Sequence, residues 1–480
     1  MSGPGLFDKY DASPAFCEVS GRADDPEIQR LFYKRLGKKT RAALARRKKR
    51  AEEELFNLGI TFTVYFGEDT VDRVLPFDVI PRPITGSDWD AMEAGVKQRI
   101  AALNAFLHDI YHDQKILKDG VVPADLVTGN KYFLKEMEGL DLPHRNYVHV
   151  CGTDMIRDTD GSFLVLEDNC RAPSGVSYVI ENRHLMQRSF PDLMENARIR
   201  PVSDYGVKLR EKLSDCAPQG VDDPKVVLLT PGMFNSAYFE HVFLAREMGV
   251  PLVEGRDLYV DETDQVFMKT VSGPEPVHVI YRRIDDAFLD PEAFRKDSML
   301  GTPGLMRALR SGKVAIANAP GTGVADDKAV YAYMPEIVRY YLDEEPILRN
   351  VDTYVCRREE DRKYVLDHLD ELVVKPVGES GGYGIVVGPK STRAEREEVG
   401  KAIRRDPSNY IAQPMITLSA CPTLTGEGVA PRHVDLRPFA VTGESTWVLP
   451  GGLTRVAMKK GSIIVNSSQG GGSKDTWVLS

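Results

Sequence analysis

Apolar residues recur at three- and four-residue steps between Trp89 and about Ile116, which places them on one face of a helix. Ser87 precedes an acidic first turn and is the predicted N-cap of this long helix. The apolar face is formed by Val96, Ile100, Leu103, Leu107 and Ile110. Another helix is predicted over residues 26–57, after a Gly-, Pro- and Asp-rich arm that we expect to pack on the surface.

The helix predicted over residues 26–57 carries a basic run from Lys38 to Arg50, which has two interpretations. A run of this kind can hold a polyanion. Because the three glutamates of residues 52–54 follow closely and neutralise part of its charge, a solvated helix face is the favoured interpretation.

The middle of the chain predicts strands rather than long helices. Two strands, Tyr147–Arg157 and Phe163–Asp168, are followed by a βαβ unit. Its parts are a buried strand, a helix closed by Gly249 and a second strand, at Lys225–Thr230, Ala237–Met248 and Pro251–Glu254. The loop after the first strand lacks the GxGxxG fingerprint, so no dinucleotide is assigned to this Rossmann-like unit. From about residue 325 a helix and then glycine-punctuated strands are predicted.

Composition and charge narrow the class of protein. The 480 residues are 42% apolar and 28% charged, and they predict two or three domains. The net charge of −9 argues against nucleic acid as a partner. The sequence has no CxxC spacing, no apolar run near the ~18 residues of a membrane span and no signal peptide, so we expect a cytoplasmic protein with no membrane partner. The nine histidines are not expected to cluster.

Asp160-Gly161 lies between two apolar runs and indicates a two-residue type I′ hairpin turn. Counting back from that turn pairs Asp154 with Glu167. Opposed residues share a face of the sheet, and Asn169 lies two positions further along the same face. Two carboxylates and an amide oxygen are therefore predicted to converge.

The sequence places nothing basic opposite these three side chains. Like charges that oppose each other directly destabilise a sheet, so a cation is expected to compensate. An all-oxygen set suits Mg²⁺, which uses few protein ligands and completes its shell with water and phosphate. Asp154, Glu167 and Asn169 are the predicted metal ligands, and the alternative is an exposed acidic hairpin with solvated carboxylates.

The segment LEDNCRAPSGVSY, residues 166–178, resembles the signature of circularly permuted ATP-grasp (type 2) proteins, relatives of glutathionylspermidine synthetases. The similarity runs from about residue 80 to the C-terminus. It includes YRRIDD at 281–286, ADDK at 325–328 and NSSQGGGSKDTW at 466–477. One departure is that these relatives carry an arginine shortly before the first metal aspartate, where this chain has Cys151-Gly152-Thr153.

The resemblance implies an α/β (α+β) fold with a circularly permuted ATP-grasp module and ATP and Mg²⁺ as cofactors. We expect four parts: an N-terminal arm and helical extension (1–80), the metal hairpin (81–205), a Rossmann-like pre-ATP-grasp domain (206–320) and a nucleotide-binding part (321–480). In most ATP-grasp enzymes the metal strands follow the nucleotide lysines. Here they precede them, so the two ends of the chain must meet to close the domain.

The nucleotide half has a lysine and a glycine loop in a strand–loop–strand pattern. Lys375 lies in an apolar strand and needs a partner, for which a nucleotide phosphate is suitable. The loop that follows, with Gly381, Gly382 and Gly384, lets backbone N–H groups approach phosphate, although such loops are usually plain turns. By resemblance, Lys375 contacts the α-phosphate and adenine region. Lys328 is by resemblance the earlier nucleotide lysine, with a surface pairing to Asp326 or Asp327 as the alternative.

Further residues receive roles from the resemblance. Gln413 is expected to read the adenine edge, with a plain strand that carries an edge proline as the alternative. Arg437 of the Asp435-Leu-Arg element is expected to lie near the β- and γ-phosphates, with an internal Asp–Arg ion pair as the alternative. Lys474 is expected to point into the site. Arg455 has the same expectation as Lys474. Substrate contacts are expected at Arg171 and Ser174, near the acyl-phosphate, and at Arg282 and Arg283, whose alternative is a structural salt-bridge network.

The resemblance implies a ligase that joins a small carboxylate to an amine through an acyl-phosphate and releases ADP and phosphate. Its substrates would be an amino acid, a peptide, a polyamine or a protein terminus. The absence of a convincing Ser/His/Asp or Cys/His set fits chemistry that needs no enzyme nucleophile, and Cys170 is interpreted as buried filler. The alternatives are a nucleotide-binding sensor or scaffold without turnover and, less favoured, a kinase on the same fold.

Overall fold

The structure of the protein is a computed structural model. It describes residues 6–7, 10–66, 69–195, 197–377, 384–466 and 470–480, and for residues 61–74 it describes the backbone alone. No helix in these ranges has the length and apolar character needed to cross a membrane.

The α-helices of the described residues are numbered in chain order. They are α1 (Glu18–Gly21), α2 (Pro26–Ile28), α3 (Arg41–Asn57), α4 (Gly86–Ile110), α5 (Lys115–Lys118), α6 (Ala124–Thr128), α7 (Val176–Ser189), α8 (Pro191–Met194), α9 (Tyr205–Ser214), α10 (Tyr238–Met248), α11 (Asp286–Leu289), α12 (Leu305–Arg310), α13 (Lys328–Tyr331), α14 (Met334–Leu342), α15 (Glu359–Asp367) and α16 (Arg393–Arg405).

The strands are numbered in the same way. They are β1 (Thr61–Phe66), β2 (Asp69–Val74), β3 (Phe77–Ile84), β4 (Val150–Arg157), β5 (Phe163–Asn169), β6 (Val226–Leu229), β7 (Leu252–Val253), β8 (Leu258–Val260), β9 (Val266–Thr270), β10 (Gly273–Pro276), β11 (Val279–Arg282), β12 (Ala315–Ala317), β13 (Arg349–Asn350), β14 (Tyr354–Val355), β15 (Leu372–Pro376), β16 (Val386–Val387), β17 (Tyr410–Pro414), β18 (Ala420–Thr425), β19 (Gly428–Thr442), β20 (Thr446–Val456) and β21 (Gly472–Val478).

The largest sheet joins distant parts of the chain in the order β13-β5-β4-β19-β20-β21-β3, with β18 paired to β19. The hairpin β4–β5 lies beside β19 in this sheet, and β4 pairs with β19 in an antiparallel manner. Strand β3 pairs in parallel with β21, so strands from near the two ends of the chain close the sheet. The expected meeting of the chain ends is confirmed.

A smaller sheet of four antiparallel strands, in the order β14-β17-β15-β16, lies in the nucleotide half of the chain. Its core is built from side chains of these strands and of α15 and α16, including Val365, Val374, Ile403 and Ala412. The strand β15 carries Lys375 and pairs with β17, which carries Gln413.

The predicted βαβ unit is present. Strands β6 and β7 are parallel and are joined by α10, which ends at Gly249 in the left-handed region with φ 65°. The whole sheet has the order β12-β11-β6-β7 and all its pairs are parallel, as in a Rossmann-like unit. A separate three-stranded meander, β8–β10, follows β7.

Part of the described N-terminal segment is buried, contrary to our expectation of an arm packed on the surface. Glu18 is buried, and its carboxylate accepts hydrogen bonds at 2.6 and 3.0 Å from Arg82 of β3. Arg157 of β4 lies 3.5 Å from the same carboxylate. Burial raises the pKa of Glu18, but the two guanidinium groups outweigh it and hold the pKa below its usual value. The N-terminal segment is therefore tied to the large sheet by charge.

Two predicted helices have different limits in the structure. The helix over residues 26–57 is interrupted, because Thr40 caps a new helix, α3, by accepting from the Ala43 N–H at 3.2 Å. Helix α4 is capped by Thr85 rather than Ser87. It ends before Ile116 because the Asp109 carboxylate instead accepts the backbone N–H groups that begin α5.

The expectation that Lys474 points into a catalytic site is wrong. Its side chain is buried between β21 and β3, where its Nζ donates to Asp78 Oδ2 at 2.5 Å and to the carbonyls of Pro422 and Ile80 at 2.9 and 3.1 Å. Three bonds use the full donor capacity of an ammonium group. Lys474 therefore joins three segments of the large sheet.

We expect Lys474→Met to lower the free energy of unfolding by about 3–5 kcal/mol, because it leaves the Asp78 carboxylate buried and unpaired. The exposed Lys459 offers a matched control, and Lys459→Met should change stability by less than about 0.5 kcal/mol. Urea denaturation of both variants measures the difference. Equal midpoints would contradict the structural role.

Candidate active site

The hairpin β4–β5 presents the three predicted metal ligands on one face of the large sheet. Asp154 pairs with Glu167 and Gly152 pairs with Asn169. The predicted opposition of the two carboxylates is confirmed, and Asn169 follows Glu167 by two positions on the same strand.

The turn of the hairpin is not the predicted two-residue turn. The N–H of Asp158 donates to the Ser162 carbonyl at 2.9 Å, so the loop has three residues, with Gly161 in the left-handed region at φ 85°. A bulge at Leu166 then adds one residue to β5 and restores the predicted pairing beyond it. The register is correct because the longer loop and the bulge compensate for each other.

Asp154 has two cationic neighbours that the sequence argument did not place there. Arg437 of β19 donates through Nη2 to Asp154 Oδ2 at 2.8 Å, and its Nε donates to Oδ1. Arg455 of β20 donates to Asp154 Oδ2 at 2.7 Å and through its Nε to both oxygens of Asp435 at 3.0 Å. The expectation that nothing basic opposes the acidic pair is wrong, because β19 packs beside β4.

The electrostatic state of Asp154 follows from these contacts. Burial raises the pKa of the carboxyl, but Arg437 and Arg455 outweigh burial and hold the pKa well below its usual value. Asp154 is therefore an anion whose charge is balanced by guanidinium groups within the sheet.

Glu167 faces lysines that come from two different parts of the nucleotide half. Lys328 Nζ lies 3.6 Å from Glu167 Oε2. Lys375 Nζ donates to Gln413 Oε1 at 2.6 Å, and Gln413 Nε2 donates to Thr353 Oγ1 at 2.9 Å. Gln413 is therefore fixed by Lys375 and Thr353, and in this structure its amide orients the lysine rather than facing outward.

Lys375 is electrostatically poised for an anion. Burial lowers the pKa of its ammonium group, nearby Glu167 and Asp154 raise it and Lys328 lowers it, and the resulting pKa is about 8. Lys375 and Lys328 are close enough to repel each other, and acidic side chains lie nearby. A phosphate group bound between the two lysines would relieve this repulsion.

The two carboxylates considered as alternative partners of Lys328 each accept other hydrogen bonds. Asp327 caps α13 by accepting from the N–H groups of Ala329 and Val330, at 2.8 and 3.3 Å. Asp326 accepts from Arg171 Nε at 2.6 Å. Both carboxylates are thus engaged elsewhere, while Lys328 approaches Glu167.

Arg171 lies directly beyond the hairpin and is partly exposed. Asp326 and the ring of Tyr132, whose centroid is 4.5 Å from the guanidinium carbon, hold it in place. Its Nη1 lies 3.5 Å from Asp285. The backbone carbonyl of Ser174 accepts from Arg437 Nη1 at 3.1 Å, so Ser174 is adjacent to the Asp154 cluster. A substrate role for Arg171 and Ser174 stays a prediction.

Arg282 and Arg283 make structural contacts, which was the alternative to the expected contacts with substrate. All three nitrogens of the buried Arg282 guanidinium donate to the carbonyls of Asn318, Ile284 and Ala319, at 2.7 to 3.1 Å. Arg283 is also buried and pairs with Glu240 at 3.1 Å. Arg282 is thus bonded within the Rossmann-like unit, whereas Arg283 Nη1 also donates to the Pro173 carbonyl at 2.7 Å, in the segment after the hairpin.

Two of the three loop glycines, Gly381 and Gly382, lie outside the described residues. Gly384 has φ 72°, and a Cβ there would come within 3.0 Å of the Pro376 ring. Glycine is therefore required at this position both by conformation and by space.

The opposite face of the hairpin is anchored by a contact that the sequence analysis missed. Asp168 is buried and accepts from Arg99 of α4, at 2.6 Å from Nη2, and from Thr153 Oγ1 at 3.1 Å. Since Asp168 lies between Glu167 and Asn169, this pair fixes β5 from behind. The helical position of Arg99, on the otherwise apolar face, was the signal that could have revealed it.

The donor set fits a hard divalent cation such as Mg²⁺. Glu167 supplies a partly exposed carboxylate, and Asn169 donates its amide nitrogen to the Gly152 carbonyl at 3.0 Å, which leaves the amide oxygen available. Asp154 completes an oxygen set, although its charge is shared with two arginines. Mg²⁺ commonly binds one or two carboxylates together with water and phosphate, so this set is sufficient.

The chain belongs to the circularly permuted ATP-grasp type 2 family, whose model matches residues 81–457. ATP-dependent ligation is the activity that this family assignment supports at the level of the family. The order of the hairpin before Lys328 and Lys375 and the β3–β21 closure agree with the permutation.

Relatives extend over most of the chain. An uncharacterized protein of Synechocystis sp. is 56% identical over 430 residues, which are 89% of each chain. An uncharacterized protein of Mycobacterium tuberculosis is 54% identical over 88% of this chain and 76% of its own. A putative glutamate–cysteine ligase of Frankia casuarinae is 44% identical over 89% of this chain but only 49% of its own length, so its name does not locate an activity in the matched half.

A solved structure shares the fold. A glutathione synthetase-like effector of Globodera pallida, in its apo form, has a TM-score of 0.59 and 11% identity, and the match covers 92% of this chain and 98% of that chain. At this identity the likeness shows the fold alone.

The pKa of Lys375 predicts how nucleotide affinity depends on pH. A pKa of about 8, below the usual value, means that the nucleotide-free protein loses this positive charge as the pH rises through 8. If phosphate binds the charged form, ATP affinity should fall by up to about tenfold per pH unit above 8. Lys375→Met should bind ATP more weakly at pH 7 and show a flatter profile. Calorimetric titration across this range measures both; parallel profiles would remove Lys375 from the site.

Proposed function

We propose that this protein is an ATP- and Mg²⁺-dependent carboxylate–amine ligase that forms an amide bond and releases ADP and phosphate. In the reaction, the γ-phosphoryl group passes to a carboxylate oxygen of the substrate. An amine then attacks the acyl carbon, loses a proton and displaces phosphate. This chemistry needs positioning and charge neutralisation rather than an enzyme nucleophile.

One observation carries the proposal. The acidic hairpin of the large sheet meets lysines of the nucleotide half at Glu167, with Lys328 at 3.6 Å and Lys375 near enough for its pKa to respond to Glu167. Oxygen ligands for a metal and ammonium donors for phosphates thus face the same space. This is the arrangement that binding of a metal–triphosphate complex requires.

The side chains around this space would have different roles in binding the metal and the nucleotide. Lys328 and Lys375 would bind phosphate oxygens, and Glu167 and Asn169 would hold Mg²⁺, which when bound neutralises charge on the transferring phosphoryl group. Arg437 and Arg455 keep Asp154 ionised and in place. Their guanidinium groups already supply positive charge at the metal face, where charge develops during transfer.

The substrates are proposed as a small carboxylate and an amine of the amino-acid or peptide class. Arg171 follows the hairpin directly and is partly exposed, and its guanidinium group is suited to a carboxylate. Beyond it, the loop after β6 lies at the point where the order of the parallel strands reverses, a usual ligand position. Met233 and Phe234 of this loop are exposed, at 70% and 93%.

The names of two relatives also support a substrate of the amino-acid or peptide class. They are a putative glutamate–cysteine ligase and a glutathione synthetase-like effector.

A nucleotide-binding sensor or scaffold is a second candidate, and one observation favours it. Asp154 is already saturated by Arg437 and Arg455, so metal binding there has to compete with two ion pairs. A protein that binds ATP but never turns it over would agree with a permanently paired Asp154.

Glu167→Gln should abolish Mg²⁺-dependent release of ADP and phosphate, with a loss of at least about 100-fold, because it removes the charged metal ligand without changing its shape. The assay pairs candidate carboxylates and amines and follows phosphate release together with the mass of the product.

Glu427→Gln, on the exposed β18–β19 turn, is the matched control and should keep wild-type turnover. Undiminished turnover in Glu167→Gln would contradict the assignment of Glu167 as a metal ligand. ATP binding without turnover across the whole substrate panel would instead support the sensor or scaffold.

A further inference from the structure

Three of the histidines that the sequence analysis expected to be scattered line one cavity. His108 and His112, near the C-terminal end of α4, and His144, in the segment before β4, border a cavity of about 740 Å³. The expectation that the histidines do not cluster is therefore wrong. His108 and His112 are four residues apart, a spacing that places both on one face of a helix.

The His112 ring has a defined tautomer in its neutral form. Its Nδ1 lies 2.8 Å from the His108 carbonyl, an acceptor, so Nδ1 must carry the proton. The other nitrogen, Nε2, then has a lone pair. Metal-binding histidines are oriented in the same way, with one nitrogen donating to a backbone carbonyl and the other facing the metal.

The Nε2 of His112 faces another acceptor. Asp141 Oδ1 lies 3.4 Å from it, and the nitrogen is buried without a hydrogen-bond partner among the described residues. A lone pair opposite a carboxylate is repulsive, and either protonation of the ring or a metal ion bound between the two atoms removes the repulsion. Two ligand atoms bound to one tetrahedral ion, each with a bond near 2.1 Å, lie about 3.4 Å apart. The distance between His112 Nε2 and Asp141 Oδ1 is 3.4 Å, which agrees with this separation.

His108 adds a third ligand to the pair. Its Nδ1 is also buried and has no hydrogen-bond partner in the part of the chain that the structure describes, and its ring centroid lies 4.1 Å from that of His112. One ligand atom from each of His108, His112 and Asp141 can be chosen so that all three lie within 4.8 Å of one another. The Asp141 side chain is 89% exposed, so it can approach a metal without disturbing the core.

The surroundings contain charges of both signs. The C-terminal end of α4 favours a cation through its last carbonyls. Asp109, Asp113 and Glu444 line the cavity, but the first already accepts from Tyr341 and two backbone N–H groups. Lys115 and Arg145 oppose a cation, and Lys115 is paired with Asp113 at 3.0 Å. At the two histidines, Asp141 favours a cation and Arg145 opposes one.

We propose that His108, His112 and Asp141 form a binding site for a divalent transition metal of the Zn²⁺ class, separate from the Mg²⁺·ATP site. Two imidazoles and one carboxylate are ligands that such ions prefer over Mg²⁺. With three protein ligands and a cavity beside it, the site leaves a coordination position for water or a small ligand. Arg99, which anchors the ATP-site hairpin, is nine residues before His108, about 14 Å along the helix.

Cobalt titration of the full-length protein tests this site. Protein stripped with a chelator is titrated with Co²⁺ in excess Mg²⁺ and without nucleotide, and visible absorption and Co²⁺ content after dialysis are measured. We expect one Co²⁺ per chain with the spectrum of a nitrogen- and oxygen-ligated ion, and displacement by Zn²⁺. His112→Ala and His108→Ala should each weaken binding by at least about tenfold.

His184→Ala removes a partly exposed histidine of α7 and is the matched control, with binding unchanged. Asp141→Asn, at an exposed position, tests the same site if a histidine variant fails to fold, and circular dichroism verifies the fold of each. Absence of stoichiometric Co²⁺ in the wild type, or equal uptake by the His108→Ala/His112→Ala double variant, would overturn the proposal. Since the readout is metal content, the outcome is independent of ligase activity.

Discussion

Parallel pairing of β3 with β21 is the constraint on which the large sheet depends. It joins residues 77–84 to residues 472–478, so the sheet is complete only when both ends of this segment are in place. Lys474 strengthens the junction because its buried ammonium group donates to Asp78 and to two carbonyls. Arg82, in the same strand, extends the junction to Glu18. The hairpin, β19 and β20 are positioned by this closure.

Asp154 is buried beside β19 and β20, and its contacts there connect the large sheet to the candidate metal site. Its carboxylate is held by Arg437 and Arg455, whereas its cross-strand partner Glu167 points toward Lys328 and remains partly exposed. One carboxylate thus organises positive charge within the sheet, and the other presents negative charge to the nucleotide half. A metal–triphosphate complex would meet both, which is why the proposed function rests on the hairpin and the lysines together rather than on either part.

Sequence reasoning recovered the local parts of this site and missed its long-range contacts. The pairing of Asp154 with Glu167 was predictable because strand alternation is local, even though the turn was assigned wrongly and a bulge at Leu166 compensated. Arg455 faces Asp435 across β19–β20, so the register of those two strands contains the signal for the buried pair. The expectation for Lys474 failed because sequence pattern does not show whether a lysine is enclosed by carbonyls and a carboxylate, as Lys474 is, or lies near Glu167, as Lys375 does.

The sequence by itself determined the family, the circular permutation and the face shared by Asp154, Glu167 and Asn169, since motif order and strand period are properties of short segments. Tertiary structure alone decided which charges are neutralised. Arg282, Arg283 and Lys474 are enclosed by carbonyl oxygens and carboxylates, while Lys375 and Lys328 approach Glu167. It also brought Asp141 beside His108 and His112, whose own proximity follows from their four-residue spacing. The physical reason is that desolvation and pairing depend on segments that are distant in sequence and meet only in the folded chain.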